Sequence, residues 1–233
     1  MASFDRRLYS AARFVRQGAV FADIGTDHAH LPIFLFKEGR IKHAVISDIN
    51  KGPLALAKTN VSEAGYSHLV TARLTDGAAG LDGLGITDYA ICGMGGELIR
   101  DIIKRSPHLF REGVRLILQP MTLHATLRRY LLGAGFNILG ERYSYAEKKY
   151  YVCIMAEYSG VCRELSEADA EFGILNTVLF DEEDTRVAYF GYLSGKIAAL
   201  EKAKQGRILG GKSTEREDEL ICEAQRRKNT IVM

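Results

Sequence analysis

The chain has 233 residues, 47% of them apolar, and 31 Lys and Arg stand against 29 Asp and Glu for a net charge of +2. Disordered and fibrous classes are excluded, and the length suits one large α/β domain with an appendage. Any basic surface must come from uneven distribution of charge: residues 1 to 160 hold 20 basic and 15 acidic residues, residues 161 to 233 hold 11 and 14, and Lys196 to Lys212 alone carries five basic residues and one Glu.

The N-terminal segment, with Arg6, Arg7, Arg13 and Arg16 on a mixed helical pattern, lacks an apolar signal core. Short apolar runs then alternate with amphipathic stretches, the pattern of a parallel sheet covered by helices on both faces. Strands are expected near Ala19 to Ile24, His43 to Asp48, Leu69 to Arg73, Asp88 to Cys92 and Val114 to Gln119, with helices at about 30 to 38, 53 to 64, 95 to 105 and 123 to 133. Phe136 to Ser144 and Lys149 to Tyr158, joined by Tyr145, Ala146, Glu147 and Lys148, form a closing antiparallel hairpin. Five alternating units and a hairpin resemble, by analogy at the level of fold, the class I methyltransferase sheet. Helices follow at about 166 to 178, 182 to 205 and 213 to 228. In the middle one Val187, Phe190, Leu193, Ile197 and Leu200 make an apolar stripe, to be buried by an antiparallel helical pair turning at Gly210 and Gly211 or by a dimer seam. The expected division is therefore residues 1–160 as the sheet domain and 161–233 as a helical domain. No apolar run reaches the ~18 residues that a membrane span needs, and the spacing of Cys92, Cys153, Cys162 and Cys222 fits no zinc site, so a soluble cytoplasmic protein with reduced thiols is expected.

The loops after the strands carry the chemistry. The first strand runs through Asp23 into Gly25, Thr26, Asp27 and His28, where a dinucleotide fold would place G-x-G-x-x-G. Asp27 takes the second glycine's place; a carboxylate repels a pyrophosphate but suits the cationic sulfonium and ammonium of S-adenosylmethionine. Asp48 follows Asp23 by 25 residues, the spacing of an acceptor for ribose hydroxyls, and Asp76, before Gly77, could accept from an adenine amino group. Three acids at three strand ends converge on one crevice. The glycines of Gly93, Met94, Gly95 and Gly96 bare the backbone for a flat ring, and Gln119 offers a donor and an acceptor. His28 and His30, two apart at a helix start, do not face one site, so no metal is expected. Lys202, Lys204 and Arg207 lie in the basic stretch, which reads as a solvated face or as a phosphate-tracking surface.

Together these blocks resemble the bacterial tRNA (adenine-N1)-methyltransferases that act on adenosine 22, in the D-arm region. The resemblance runs from Arg7 and Leu8 through the C-terminal helices and rests on ADIGTDHAHLP at 22 to 32, DINKGPL at 48 to 54, DG at 76 to 77, GMGG at 93 to 96 and LILQP at 116 to 120. The family often has Ser at Thr26, Tyr at His30 and Asn at Met121, and the N-P-P-Y motif of N6-adenine methyltransferases is absent. The resemblance implies a Rossmann-like α/β methyltransferase domain with a C-terminal coiled-coil-like domain, S-adenosylmethionine as cofactor and tRNA as partner; a monomer or weak homodimer is expected. It places the cofactor at Asp23, Gly25, Asp48, Ile49, Asp76, Gly77, Gly93, Met94 and Gly95. It places the substrate at Gly96, Pro120, Arg7, Lys202, Lys204 and Arg207. Asp27 is the candidate acceptor for the cationic product, with His28 and Gln119 orienting the base. A small-molecule or protein methyltransferase, an NAD-dependent oxidoreductase and a non-catalytic RNA-binding protein are the alternatives.

Overall fold

The computed structural model describes residues 5–232, Val232 by its backbone alone. β1 (Ala19–Ile24) is apolar along nearly its whole length because both faces of the sheet are covered, and it pairs in parallel with β2 (Ile41–Asp48) and β4 (Asp88–Met94). β3 (Val70–Leu74) joins β2 and β5 (Arg115–Pro120) joins β4, also in parallel. β7 (Lys149–Tyr158) runs antiparallel to both β5 and β6 (Phe136–Ala146), so the seven strands lie in the order β3-β2-β1-β4-β5-β7-β6. Helices α1 (Arg6–Ala12), α2 (His30–Lys37), α3 (Lys51–Glu63), α4 (Gly96–Lys104) and α5 (His124–Gly133) cover the sheet.

The expected strands and crossover helices all form, with ends shifted by no more than two residues. The hairpin is longer than expected, since its strands run to Ala146 and from Lys149, leaving only Glu147 and Lys148 in the turn. Both take left-handed φ, 49° and 62°, which a two-residue turn matched to the strand twist requires.

The C-terminal region departs further. The helix expected over 166 to 178 breaks into α6 (Glu167–Phe172) and a 3-10 turn at Leu175–Thr177. The break is at Gly173, whose φ of 91° ends the helix and whose missing Cβ leaves room for the Glu141 carboxylate and the Tyr143 hydroxyl. α7 (Glu183–Leu209) and α8 (Glu215–Val232) form the expected helical hairpin, turning through Gly210 and Gly211. The buried face of α7 is rotated from the expected stripe: Thr185, Ala188, Tyr189, Tyr192 and Leu193 are buried, whereas Val187 is exposed, because the first half of α7 packs on β6 as well as on α8. Phe172, Tyr189, Leu193 and Leu220 share one hydrophobic cluster with Leu131, Phe136 and Tyr143, so the sheet and the C-terminal helices bury a common core.

That core holds a charged network. Arg128 of α5, fully buried, donates from Nε and Nη2 to the equally buried Glu141 at 2.8 and 3.0 Å, from Nη2 to the Tyr143 hydroxyl at 3.0 Å, and from Nη1 to the Ala170 carbonyl at 2.8 Å. Arg227 of α8 donates to the Gly173 carbonyl at 2.5 Å and to Asp169 at 2.7 Å, fastening α8 to the end of α6.

Candidate active site

Strand order reverses between β1 and β4, so the loops after them diverge and open a crevice at the carboxyl edge of the sheet. A cavity of about 730 Å³ lies there, lined by Asp23, by Gly25 to Leu31, by Cys92, Gly93 and Gln119, and by Asp5, Arg7 and Leu8 at the N-terminal helix.

The turn after β1 forms because Gly25 takes φ 74° and because its N–H and that of Thr26 donate to the Ser47 carbonyl at 2.8 and 2.9 Å. Any other residue at position 25 would be strained by that φ, and its Cβ would have to push the Met94 methyl aside. Asp23 is 8% exposed, and burial pushes its pKa up to about 6, with the Thr26 hydroxyl acting in the opposite direction. It is a carboxylate held ready for a cation or a hydroxyl donor.

Asp27 is exposed at the mouth of the cavity, its Oδ2 3.2 Å from Nε2 of His28. The His28 and His30 rings stack at 5.1 Å and 11°, contrary to the expectation that they face apart. Ala29 between them is left-handed, with φ 54°, and α2 begins only at His30, so helical geometry does not separate the rings. Among the described residues no group of three or more His, Cys, Asp or Glu is placed to hold a metal ion.

Gln119 is buried at 2% exposure, with Oε1 accepting from the Gly93 N–H at 3.1 Å and Nε2 donating to the Pro120 carbonyl at 3.2 Å. It holds the β4 loop in place, so the expected donor–acceptor pair for a base is already engaged. Gly93 lines the cavity, whereas Gly96, expected at the substrate, does not. Gly96 donates its N–H to the Thr122 carbonyl at 2.9 Å, and a Cβ on it would lie 2.6 Å from the Leu123 carbonyl oxygen. Gly95 caps α4 beside Thr122, and buried Pro120 also accepts from His124 Nε2 at 3.2 Å.

Asp48, Ile49, Asp76 and Gly77 stand along the same carboxyl edge, after β2 and β3, outside the lining of the cavity. Asp48 is buried and accepts from the Asn50 N–H at 2.7 Å, Ile49 is exposed, and Gly77 accepts from the Ser47 hydroxyl at 3.4 Å. Asp76 is ion-paired with Arg105 at 2.6 Å, so an adenine amino group would meet that guanidinium beside it.

The basic stretch is largely neutralised within the chain. Lys204 pairs with Asp218 at 2.5 Å and Arg207 with Glu217 at 3.2 Å, because the antiparallel turn sets the acidic first turn of α8 against the end of α7. Exposed Lys202 and Lys212 have no ion pair among the described residues. Arg7 reaches the cavity rim, held by Asp5 at 2.5 Å and set over the Tyr151 ring at 5.2 Å. Asp5 and Cys92 were not legible as lining residues: Asp5 enters as the N-cap of α1, accepting from the Arg7 N–H at 2.8 Å, and only the tertiary fold lays α1 beside the cavity.

Residues 4–154 match the methyltransferase-domain family. The tRNA (adenine(22)-N(1))-methyltransferase of Bacillus subtilis (strain 168) is 32% identical over 153 residues, 65% of this chain and 64% of that protein, so the match spans slightly less than two thirds of the relative. Streptococcus pneumoniae Sp1610, described as a candidate tRNA (m1A22) methyltransferase and solved with S-adenosyl-L-methionine, superposes with a TM-score of 0.80 at 30% identity over 97% of this chain and 100% of that one. M. capricolum TrmK, solved with S-adenosyl-homocysteine, gives 0.72 at 28% identity over 98% and 96%.

Proposed function

The chain belongs to the methyltransferase-domain family, among relatives of the tRNA (m1A22) methyltransferases, and from that premise we propose that it methylates N1 of adenosine 22 in tRNA using S-adenosylmethionine. The observation that carries the reading is the pairing of a buried carboxylate, Asp23, inside the switch-point cavity with an exposed carboxylate, Asp27, at its mouth. The residues fit the cofactor: Gly25 lets a ligand approach the backbone, Asp23 meets its ammonium, and Asp48, at the end of the adjoining strand, accepts from its ribose. When bound, the cofactor supplies an electrophilic methyl group on a cationic sulfur.

Adenine N1 carries an in-plane lone pair and no hydrogen, so attack needs no base to remove a proton, and the ring becomes cationic as the bond to the methyl carbon forms. Asp27, fixed by His28, accepts from the adenine N6 amino group and so favours the developing charge. Gln119 acts as a positioning residue by holding the Gly93 backbone beside the reacting base. The base leaves its stack to reach the cavity.

Residues 1–160 carry the cofactor site, and the helical region 161–233 adds phosphate contacts through Lys202 and Lys212, with Lys204 and Arg207 shared between α8 and the RNA. Since Leu193, Ile197 and Leu200 of the α7 stripe pack into the core within one chain, a monomer is sufficient. No described helix is long and apolar enough to cross a membrane, and a tRNA substrate puts the protein to work in the cytoplasm. The test compares methyl transfer to two transcripts of one tRNA differing only at position 22. Label entering the A22 transcript and not the G22 transcript supports the reading, and equal transfer to both refutes it.

A further inference from the structure

β6 runs parallel to β1 and β5, so the tip of the β6–β7 hairpin lies at the same edge of the sheet as the active-site cavity. The β5–β7 ladder ends at Leu118 opposite Ile154, and the five residues from Lys149 to Cys153 continue with β6 alone, so the tip reaches roughly 15 Å past Leu118. Helix α1 lies between this projection and the cavity. Arg7 and Leu8 face the cavity, while Arg6, Tyr9 and Ser10 face a second one of about 400 Å³ beside the hairpin and the start of α7.

Three tyrosines around this second cavity are left in solvent: Tyr9 at 39% exposure, Tyr145 at 46% and Tyr150 at 38%. The Tyr145 and Tyr150 rings lie 4.8 Å apart at 43°, and Gly191 of α7, having no Cβ, makes room for the Tyr150 hydroxyl end. The shelf is therefore held in place from behind. The acids on its rim are matched within the chain, Asp184 by Arg6 at 3.2 Å and Glu182 by Arg13 at 3.1 Å and Arg142 at 3.6 Å. At the tip, Lys148 and Lys149 are exposed and have no ion pair among the described residues, with Glu147 the only acid in the turn.

We propose that this cavity is a second nucleotide site, in which an unpaired base near the modified adenosine stacks on Tyr145 and Tyr150 while Lys148 and Lys149 meet the neighbouring phosphates. The proposal rests on the reading that the substrate is RNA. Exposed aromatic rings interleaved with lysines are what single-stranded RNA requires, because every base has a face to stack and every nucleotide a phosphate to neutralise. The cavities are separated by one helix, on the order of 10–12 Å across, a gap that the strand on either side of a flipped nucleotide can bridge.

The sequence contains no Trp, so Tyr145→Trp in the full chain gives a single fluorescent reporter. On titration with an unmodified tRNA transcript, its emission is expected to quench and to saturate together with binding. Tyr145→Ala is expected to raise the KM for tRNA about tenfold, Tyr145→Phe to keep it near the wild-type value, and S-adenosylhomocysteine affinity to stay unchanged in both. A wild type that methylates the transcript, beside a Tyr145→Ala variant with unaltered KM and a Tyr145→Trp variant whose indole emission RNA does not move, overturns the second site alone. A wild type that neither binds nor methylates tRNA overturns both the site and the reading on which it rests. An effect of Tyr145→Ala on sedimentation with none on RNA binding assigns the shelf to a protein contact and also overturns the proposal.

Discussion

Replacing Asp23 by Asn separates stability from function in opposite directions. Asp23 titrates at about 6 in the folded protein against 3.8 for an unperturbed carboxyl, because burial disfavours its charge. Between those pH values the folded chain holds a proton that the unfolded chain has released, so stability falls as pH rises through the window and levels off above about 6. The shift of about two units, at 1.36 kcal/mol each, amounts to about 3 kcal/mol. Asn carries no charge, so Asp23→Asn is expected to be up to about 3 kcal/mol more stable than wild type at pH 8 and nearly equal to it at pH 3.5. The same substitution removes the partner proposed for the cofactor's ammonium. Wild-type affinity for S-adenosylhomocysteine should weaken as pH drops below about 6, by at most about tenfold per unit, while the Asn variant binds weakly without that dependence. Urea unfolding at the two pH values and calorimetric titration with S-adenosylhomocysteine measure both effects. An Asn variant that is less stable than wild type at pH 8, or that binds the cofactor product unchanged, refutes the reasoning.

Glu141→Ala leaves Arg128 charged and fully buried without its partner, which should cost about 3–5 kcal/mol in urea unfolding; the double variant Arg128→Met/Glu141→Leu should lose less than Glu141→Ala alone. Asp27→Ala should lower turnover at saturating cofactor by about a hundredfold while sparing S-adenosylhomocysteine affinity, and unchanged single-turnover rates would remove Asp27 from the chemistry. Gly96→Ala forces a methyl against the Leu123 and Thr122 carbonyls and should destabilise by about 1–3 kcal/mol in thermal or urea unfolding.

The parallel core and the acids after its strands were legible because both depend on local signals. Runs such as Ala19 to Ile24 are apolar enough to mark buried strands, and Asp23, Asp27 and Asp48 stand where such strands end. What escaped depends on residues distant in sequence. Gly173 breaks a helix because Glu141 and Tyr143 occupy the space beside it, and nothing within 166 to 178 announces them. The charge of Lys204 and Arg207 is compensated by Asp218 and Glu217, an arrangement visible only once α7 and α8 turn back on each other. Val187 continued the apolar period of α7, but the sheet sets which face of that helix is buried. Gln119 lines the cavity, yet its bonds to Gly93 and Pro120 follow from the register of β4 against β5 and are not visible in the sequence. The left-handed turn at Ala29, which brings the two histidine rings together, has no sequence signal at all, since alanine seldom adopts it.

The activity proposed for this chain is methylation of the ring nitrogen of one adenosine in tRNA. Incubating the full protein with S-adenosylmethionine and an unmodified tRNA pool, then mapping reverse-transcription arrests and the modified nucleoside, tests it directly. The expected result is N1-methyladenosine with a single new arrest at position 22. Methylation confined to the exocyclic N6, arrests at other positions, or no transfer to RNA despite S-adenosylhomocysteine binding would contradict it, and the last result would redirect the cavity to a small-molecule or protein substrate.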